Sequence, residues 1–190
     1  MIDSALLVSC TDKAVAFFTE LLNAASINQI TVMQSCGEAR RLLLECKFDL
    51  VIINAPLRDE SGENFSRYIA SNGESQVILA VKQEYFDAVS ALCENDGVLT
   101  VSKPINKNVF CAALALAKSA QNRIKRIQTE NAQLKQKIED IRIVDRAKCM
   151  LISYLNMSEK EAHRYIEKQA MDIRSTKRAV AERILKTYEN

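Results

Sequence analysis

The residues of this chain that can do chemistry fall into two groups. The first comprises Cys10, Thr11, Asn54 and Lys103, spread over the first half of the sequence. The second is a basic run near the end, Arg174-Ser175-Thr176-Lys177-Arg178, preceded by Lys148, Arg164, Lys168 and Gln169. A hard divalent cation needs several charged or carbonyl oxygens. Cys10, Thr11 and Asn54 form a neutral, poor cage, although Asp12 lies one position further on. Lys103 suits an ion pair with Asp12 or a hydrogen bond to the Asn54 carboxamide better than a catalytic role. The 6 Cys contain no C-x-x-C pair, and His163 is the single His. Zinc and a redox dithiol are therefore not expected, and the thiols read as reduced and cytosolic. No metal, no cofactor and no enzymatic reaction are expected.

The basic run points elsewhere. Cations at a helix N-terminus oppose the helix dipole. Arg174, Lys177 and Arg178 at such a position cost stability and suit a phosphate ligand. Arg164 and Lys168 lie one turn apart and are equally suited to pairing with Glu161 and nearby acids. His163 reads as a half-buried packing residue, and Tyr154, Tyr165 and Tyr188 read mostly as core or helix-packing residues, with RNA stacking as the lesser alternative. Net charge is +2 over 190 residues, but it is unevenly placed. Residues 1–120 carry 10 Lys and Arg against 14 Asp and Glu; residues 121–190 carry 16 against 10. An acidic module of −4 thus precedes a basic module of +6, which suggests nucleic acid as partner of the second half.

The elements that must position these residues follow from periodicity. Apolar runs of strand length occur at 5–9, 29–33, 49–54, 76–81 and 97–101, with helical patterns at 13–25, 37–46, 61–70 and 84–94. Another helix starts near Asn106. Runs without alternation, such as Leu50-Val51-Ile52-Ile53, mark strands buried on both faces. The expected fold is a doubly wound α/β domain with a five-stranded parallel sheet. Its ligand site lies outside the carboxyl ends of the strands, at Cys10-Thr11, Asn54, Val81 and Lys103. No run of 18 apolar residues exists, so no membrane span is expected. Met1-Ile2-Asp3-Ser4 lacks a basic n-region, so secretion is not expected.

With this pattern, and with the Ala55–Gly62 loop and Lys103-Pro104, residues 1–120 resemble the receiver domain of two-component response regulators. That resemblance implies a flavodoxin-like sheet whose acidic pair and phosphoacceptor Asp hold Mg²⁺ and a phosphoryl group. The acidic pair aligns with Cys10 and Thr11, the phosphoacceptor with Asn54 and the switch hydroxyl with Val81; only Lys103 remains. A carboxamide cannot replace the carboxylate nucleophile. The expectation is a pseudo-receiver that aspartyl phosphorylation does not switch, open to a regulatory protein.

From Phe110 the spacing turns heptad. Phe110, Ala117, Ile124, Asn131 and Ile138 recur every seven residues, with Ala113, Ala120, Ile127, Leu134 and Ile141 at plus three. This a/d seam predicts a coiled-coil helix over 110–145 and a parallel homodimer, its register fixed by the buried Asn131. An intramolecular helix hairpin is the alternative. Three short helical blocks follow. Ser158-Glu159-Lys160-Glu161 is a capping box, and Ser175 or Thr176 can cap a last helix ending near Tyr188.

Residues 126–190, with Ala147-Lys148, Ser158-x-x-Glu161-Ala162, Gln169-Ala170-Met171-Asp172 and the Arg174–Leu185 stretch, resemble the ANTAR domain of bacterial transcription antiterminators. That resemblance implies binding of stem-loops in nascent mRNA leaders, which prevents formation of a terminator hairpin. Its implied RNA-contacting residues are Lys148, Arg164, Lys168, Gln169, Arg174, Ser175, Thr176, Lys177 and Arg178. The expected molecule is a cytoplasmic, dimeric RNA-binding regulator. Its rivals are a DNA-binding response regulator and a coiled-coil adaptor whose partner is protein.

Overall fold

The computed structural model describes residues 2–72 and 75–188. The chain divides into two compact units, Met1–Lys125 and Arg126–Asn190.

The first unit alternates strand and helix: β1 (Ser4–Val8), α1 (Asp12–Ala24), β2 (Gln29–Met33), α2 (Cys36–Glu45), β3 (Leu50–Asn54), α3 (Glu63–Ser71), β4 (Gln76–Lys82), α4 (Phe86–Cys93), β5 (Leu99–Lys103) and the start of α5 (Lys107–Leu155). All strand pairs are parallel, in the order β2-β1-β3-β4-β5. Every residue of β3 is buried, as a central strand covered on both faces must be. Val51 and Ile53 face the side that carries Phe65 and Val89, whereas Leu50 and Ile52 face the side that carries Phe18 and Phe110. Phe18 and Phe110 meet edge to face at 5.3 Å.

The starts of one strand and one helix differ from the periodicity. β5 starts two residues later than expected because Gly97 turns the chain at φ 78°. Lys103 therefore closes the strand. α3 starts at Glu63 because Gly62 sits at φ 91°, where a Cβ would lie 2.9 Å from Ile53 Cγ2. The N-terminus of α2 is capped locally by Ser35, whose Oγ accepts from the Glu38 amide at 3.2 Å, and also from afar, since Asp59 accepts from the amides of Cys36 and Gly37 at 3.2 and 2.9 Å.

α5 begins under Asn106, whose Oδ1 accepts from the Asn108 amide at 2.8 Å. It runs 49 residues without a break, because no Gly or Pro follows Pro104. In the first unit, Phe110, Leu114, Ala117 and Gln121 are buried, a 3.6-residue stripe against the sheet. The seam expected over 110–141 is therefore two surfaces. Ala117 is wholly buried in the core of the first unit and is not free to form a dimer seam. Ala120 and Asn131 are exposed and Ile124 is half-buried. Ile127, Leu134, Ile138 and Ile141 are 44, 55, 51 and 61% exposed.

The second unit packs the rest of α5 with α6 (Glu159–Asp172) and α7 (Lys177–Tyr188). Its core is Ala147, Leu151, Ala162, Ile166, Ala170, Val180, Ala181, Ile184 and Leu185. The expected first short block is the end of α5 itself, which stops at Asn156 in the left-handed region, φ 50°. The capping box of α6 is complete: the Glu161 amide donates to Ser158 Oγ at 3.3 Å, and the Ser158 amide donates to Glu161 Oε2 at 2.8 Å. No helix of the described residues is long and apolar enough to cross a membrane.

Candidate nucleic-acid interface

At the carboxyl edge of the sheet, Asn54 is nearly buried and its Nδ2 donates to Ser9 Oγ at 3.0 Å. Thr11, Asn54 and Lys103 line one open cleft of about 390 Å³ with Phe17 and Pro104. Val81 is buried and lines a different cleft with Ala55, Pro56 and Tyr85. The Cys10 thiol turns toward the Pro56 carbonyl, 3.8 Å away. Lys103 pairs with neither Asp12 nor the Asn54 carboxamide. Its Nζ donates to the Ala55 carbonyl, because the strand end places the amine over the β3 exit. Burial pushes its pKa down, with Lys82 adding repulsion against the pull of Cys10. The site thus has an amide, a thiol and an engaged amine; its one acidic member, Asp12, is exposed on the first turn of α1.

Cys36, Asp59 and Glu60 place one ligand atom each within a small sphere. Their bonds are already assigned. Asp59 holds the α2 amides, and Glu60 takes Arg40 at 2.8 Å. Burial, with Glu60 next, pushes the Cys36 thiol far up, so it stays protonated.

In the second unit, the turn between α6 and α7 brings the basic run to one place. The Ser175 amide donates to the Ala170 carbonyl at 2.9 Å and the Arg174 amide to the Met171 carbonyl at 3.2 Å. This is a Schellman closure with Arg174, at φ 49°, where Gly is usual. Thr176 then caps α7, its Oγ1 accepting from the Ala179 amide at 3.1 Å. Lys148, His163, Thr176, Lys177 and Arg178 line a cleft of about 370 Å³ with Asp140 and Asp145.

The cations in that cleft have carboxylate partners, some one helical turn away and some distant in sequence. Arg178 donates to Asp140 Oδ1 and Glu182 Oε1, each at 2.8 Å. Lys177 bonds Glu167. Lys148 lies 2.8 Å from Asp145 Oδ1 and 3.4 Å from Glu159 Oε1. Hydrogen bonds from Arg178 and then Gln136 hold the Asp140 carboxyl below the ordinary carboxylate range. Lys177 does the same for Glu167. His163 is exposed and sits 3.3 Å from Glu167, so it is not the half-buried packing residue expected. Arg164, Lys168 and Arg174 are exposed and make no ion pair among the described residues. Gln169 is half-buried. Tyr154 and Tyr165 are also exposed, at 60 and 39%, so neither is core, although Tyr154 packs on Tyr188 of α7. The capping box, the α7 cap and the one-turn pairs Lys148–Asp145, His163–Glu167 and Arg178–Glu182 lie within local spacing. Asp140 and Arg178 stand 38 positions apart, beyond any periodic signal.

Comparison with known proteins adds four findings. The ANTAR domain model matches residues 132–185. The transcriptional regulatory protein PdtaR of Mycobacterium tuberculosis is 29% identical over 141 residues, covering 74% of this chain and 69% of that protein. The receiver domain of an HD domain-containing protein from Pseudomonas fluorescens superposes with a TM-score of 0.57 at 22% identity, covering 66% of this chain and 93% of that one. A response regulator receiver domain protein from Clostridium thermocellum gives 0.56 at 21% identity, covering 66 and 99%. The first unit therefore has the receiver fold, and the second carries the ANTAR sequence pattern.

Proposed function

From the premise that this chain is an ANTAR response regulator, a receiver fold followed by an ANTAR domain, we propose that it binds RNA hairpins and regulates transcription by antitermination. The observation that carries this reading is the ANTAR match at 132–185, which falls on the compact three-helix unit. That unit is small and basic, and its turn gathers Arg174, Thr176, Lys177 and Arg178 at the start of α7. Hairpin loops expose bent phosphate backbones and unstacked bases, which cationic and aromatic side chains recognise.

Two further parts belong to the proposal. The receiver unit acts without aspartyl phosphorylation, because Asn54 offers a carboxamide bonded to Ser9 where a carboxylate nucleophile is needed. A protein docking on this unit is the alternative signal. The molecule acts as a homodimer through the exposed stripe of α5, so that two units engage two hairpins at once. The second engagement is then effectively intramolecular and raises avidity by about 10²–10⁴.

Competition binding tests the reading. Full-length protein is challenged with labelled hairpin RNA and unlabelled duplex DNA of equal charge. Retention of the hairpin against excess duplex is the expected result. Preference for the duplex turns the reading toward DNA, and absence of binding to either turns it toward a protein adaptor.

A further inference from the structure

Across the three-helix unit lies a second groove of about 290 Å³, walled by Tyr165 and Gln169 of α6 and by Arg183, Thr187 and Tyr188 of α7. Its floor is the apolar core, with Val180 and Ile184. The polar groups here differ from those at the start of α7. Lys148, Lys177 and Arg178 are each tied to a carboxylate. The Gln169 carboxamide and the Arg183 guanidinium make no side-chain bond among the described residues. Gln169 is half-buried, so its donor and acceptor are held at the groove wall. Tyr165 is 39% exposed beside it. Tyr188 stacks on Tyr154 with centroids 5.2 Å apart and planes 30° from parallel, which fixes a second ring at the far end. Arg164 and Lys168 rise one position from Tyr165 and Gln169 on α6 and are likewise unpaired among the described residues.

We infer that this groove receives one unstacked nucleobase of the bound RNA, stacked against Tyr165 and read along its edge by the Gln169 carboxamide, with Arg183 over the adjoining phosphate. The inference rests on the RNA-binding reading above and assigns base recognition to a face distinct from the start of α7. An aromatic face accepts any base, whereas a carboxamide presents one donor and one acceptor and so discriminates edges. Ion-paired cations at the start of α7 attract backbone without reading it. Loop identity must then be read elsewhere, and this groove holds free hydrogen-bonding groups beside exposed rings.

The test uses full-length protein and a pool of hairpins with one fixed stem and a randomised loop. Wild type enriches loops fixed at one or more positions. Gln169→Ala erases the preference at one of those positions and leaves the others. Tyr165→Leu weakens binding of the enriched hairpin by about 5- to 150-fold, the range for loss of one base–aromatic stack. Wild-type loop profiles and affinities in both variants overturn the inference while leaving RNA binding intact. Failure of the wild type to enrich any hairpin overturns both. Circular dichroism checks each variant. If Tyr165→Leu unfolds, ultraviolet crosslinking of wild type to the enriched hairpin decides: a crosslink mapped to Tyr165, Gln169 or residues 183–188 supports the groove, and one mapped to 174–178 or outside the groove overturns the assignment.

Discussion

Two single positions carry consequences that can be measured. Asn54 ends β3 with its amide nitrogen on Ser9, and Lys103 spends its amine on a backbone carbonyl. Intact mass after acetyl phosphate with Mg²⁺ is expected to show no phosphoryl gain; a hydroxylamine-labile adduct mapped to any residue of the edge defeats this. Arg174 occupies the left-handed region that closes α6. A side chain there costs about 1 kcal/mol relative to Gly. Arg174→Gly is therefore expected to raise the melting temperature of the second unit and to weaken RNA binding by removal of one unpaired cation. A drop in melting temperature would show that the guanidinium makes a stabilising contact. This strain was not legible in the sequence: the absence of Gly between α6 and α7 argues against a sharp turn, yet two backbone bonds impose one.

At the scale of elements, α7 separates stability from binding. Ile184 lies in the core, whereas Lys177 and Arg178, in the first turn, pair with surface carboxylates. Ile184→Ala is expected to cost about 2–5 kcal/mol. The double variant Lys177→Ala/Arg178→Ala removes only solvent-screened ion pairs, so its melting temperature falls far less than that of Ile184→Ala while hairpin affinity drops. Equal affinity for the double variant would move the phosphate contacts to Arg164 and Lys168. The partners of these cations also set a pH response. The Asp140 and Glu167 carboxyls titrate below the ordinary range in the fold. Such groups stabilise the fold above that range and lose their contribution as pH falls through the depressed values. Thermal unfolding of the second unit is expected to shift downward below about pH 4, less so in Asp140→Asn. The strands, the α6 capping box and the α7 cap were legible because each is written in neighbouring residues. The closure of α2 by Asp59, 22 positions away, was not, since nothing local marks an acid as the cap of a distant helix.

For the whole molecule the deciding surface is the stripe Ile127, Leu134, Ile138 and Ile141 on α5, which one copy of the chain leaves open to water. Apolar side chains recurring at this spacing find cover in a second identical helix. Ile127→Lys and Leu134→Lys are expected to give monomers in sedimentation at micromolar concentration. Asn131→Ile is expected to tighten the dimer or raise the oligomer, because the polar register residue is gone. Dimers in both Lys variants would place the interface elsewhere. The periodicity reading merged this stripe with the buried one at Phe110, Leu114 and Ala117, since over three turns a 3.5-residue repeat and a 3.6-residue repeat are nearly indistinguishable. Finally, the carboxylates that hold Lys177 and Arg178 bear on how binding responds to ionic strength. A phosphate that takes over either cation sends Glu167 or Asp140 back into solvent, where it gathers sodium of its own. Part of the ion release that drives nucleic-acid association is then returned. The logarithmic salt slope will fall short of about 0.7 per phosphate contacted, so a footprint counted from titrations in salt will understate the true number of contacts.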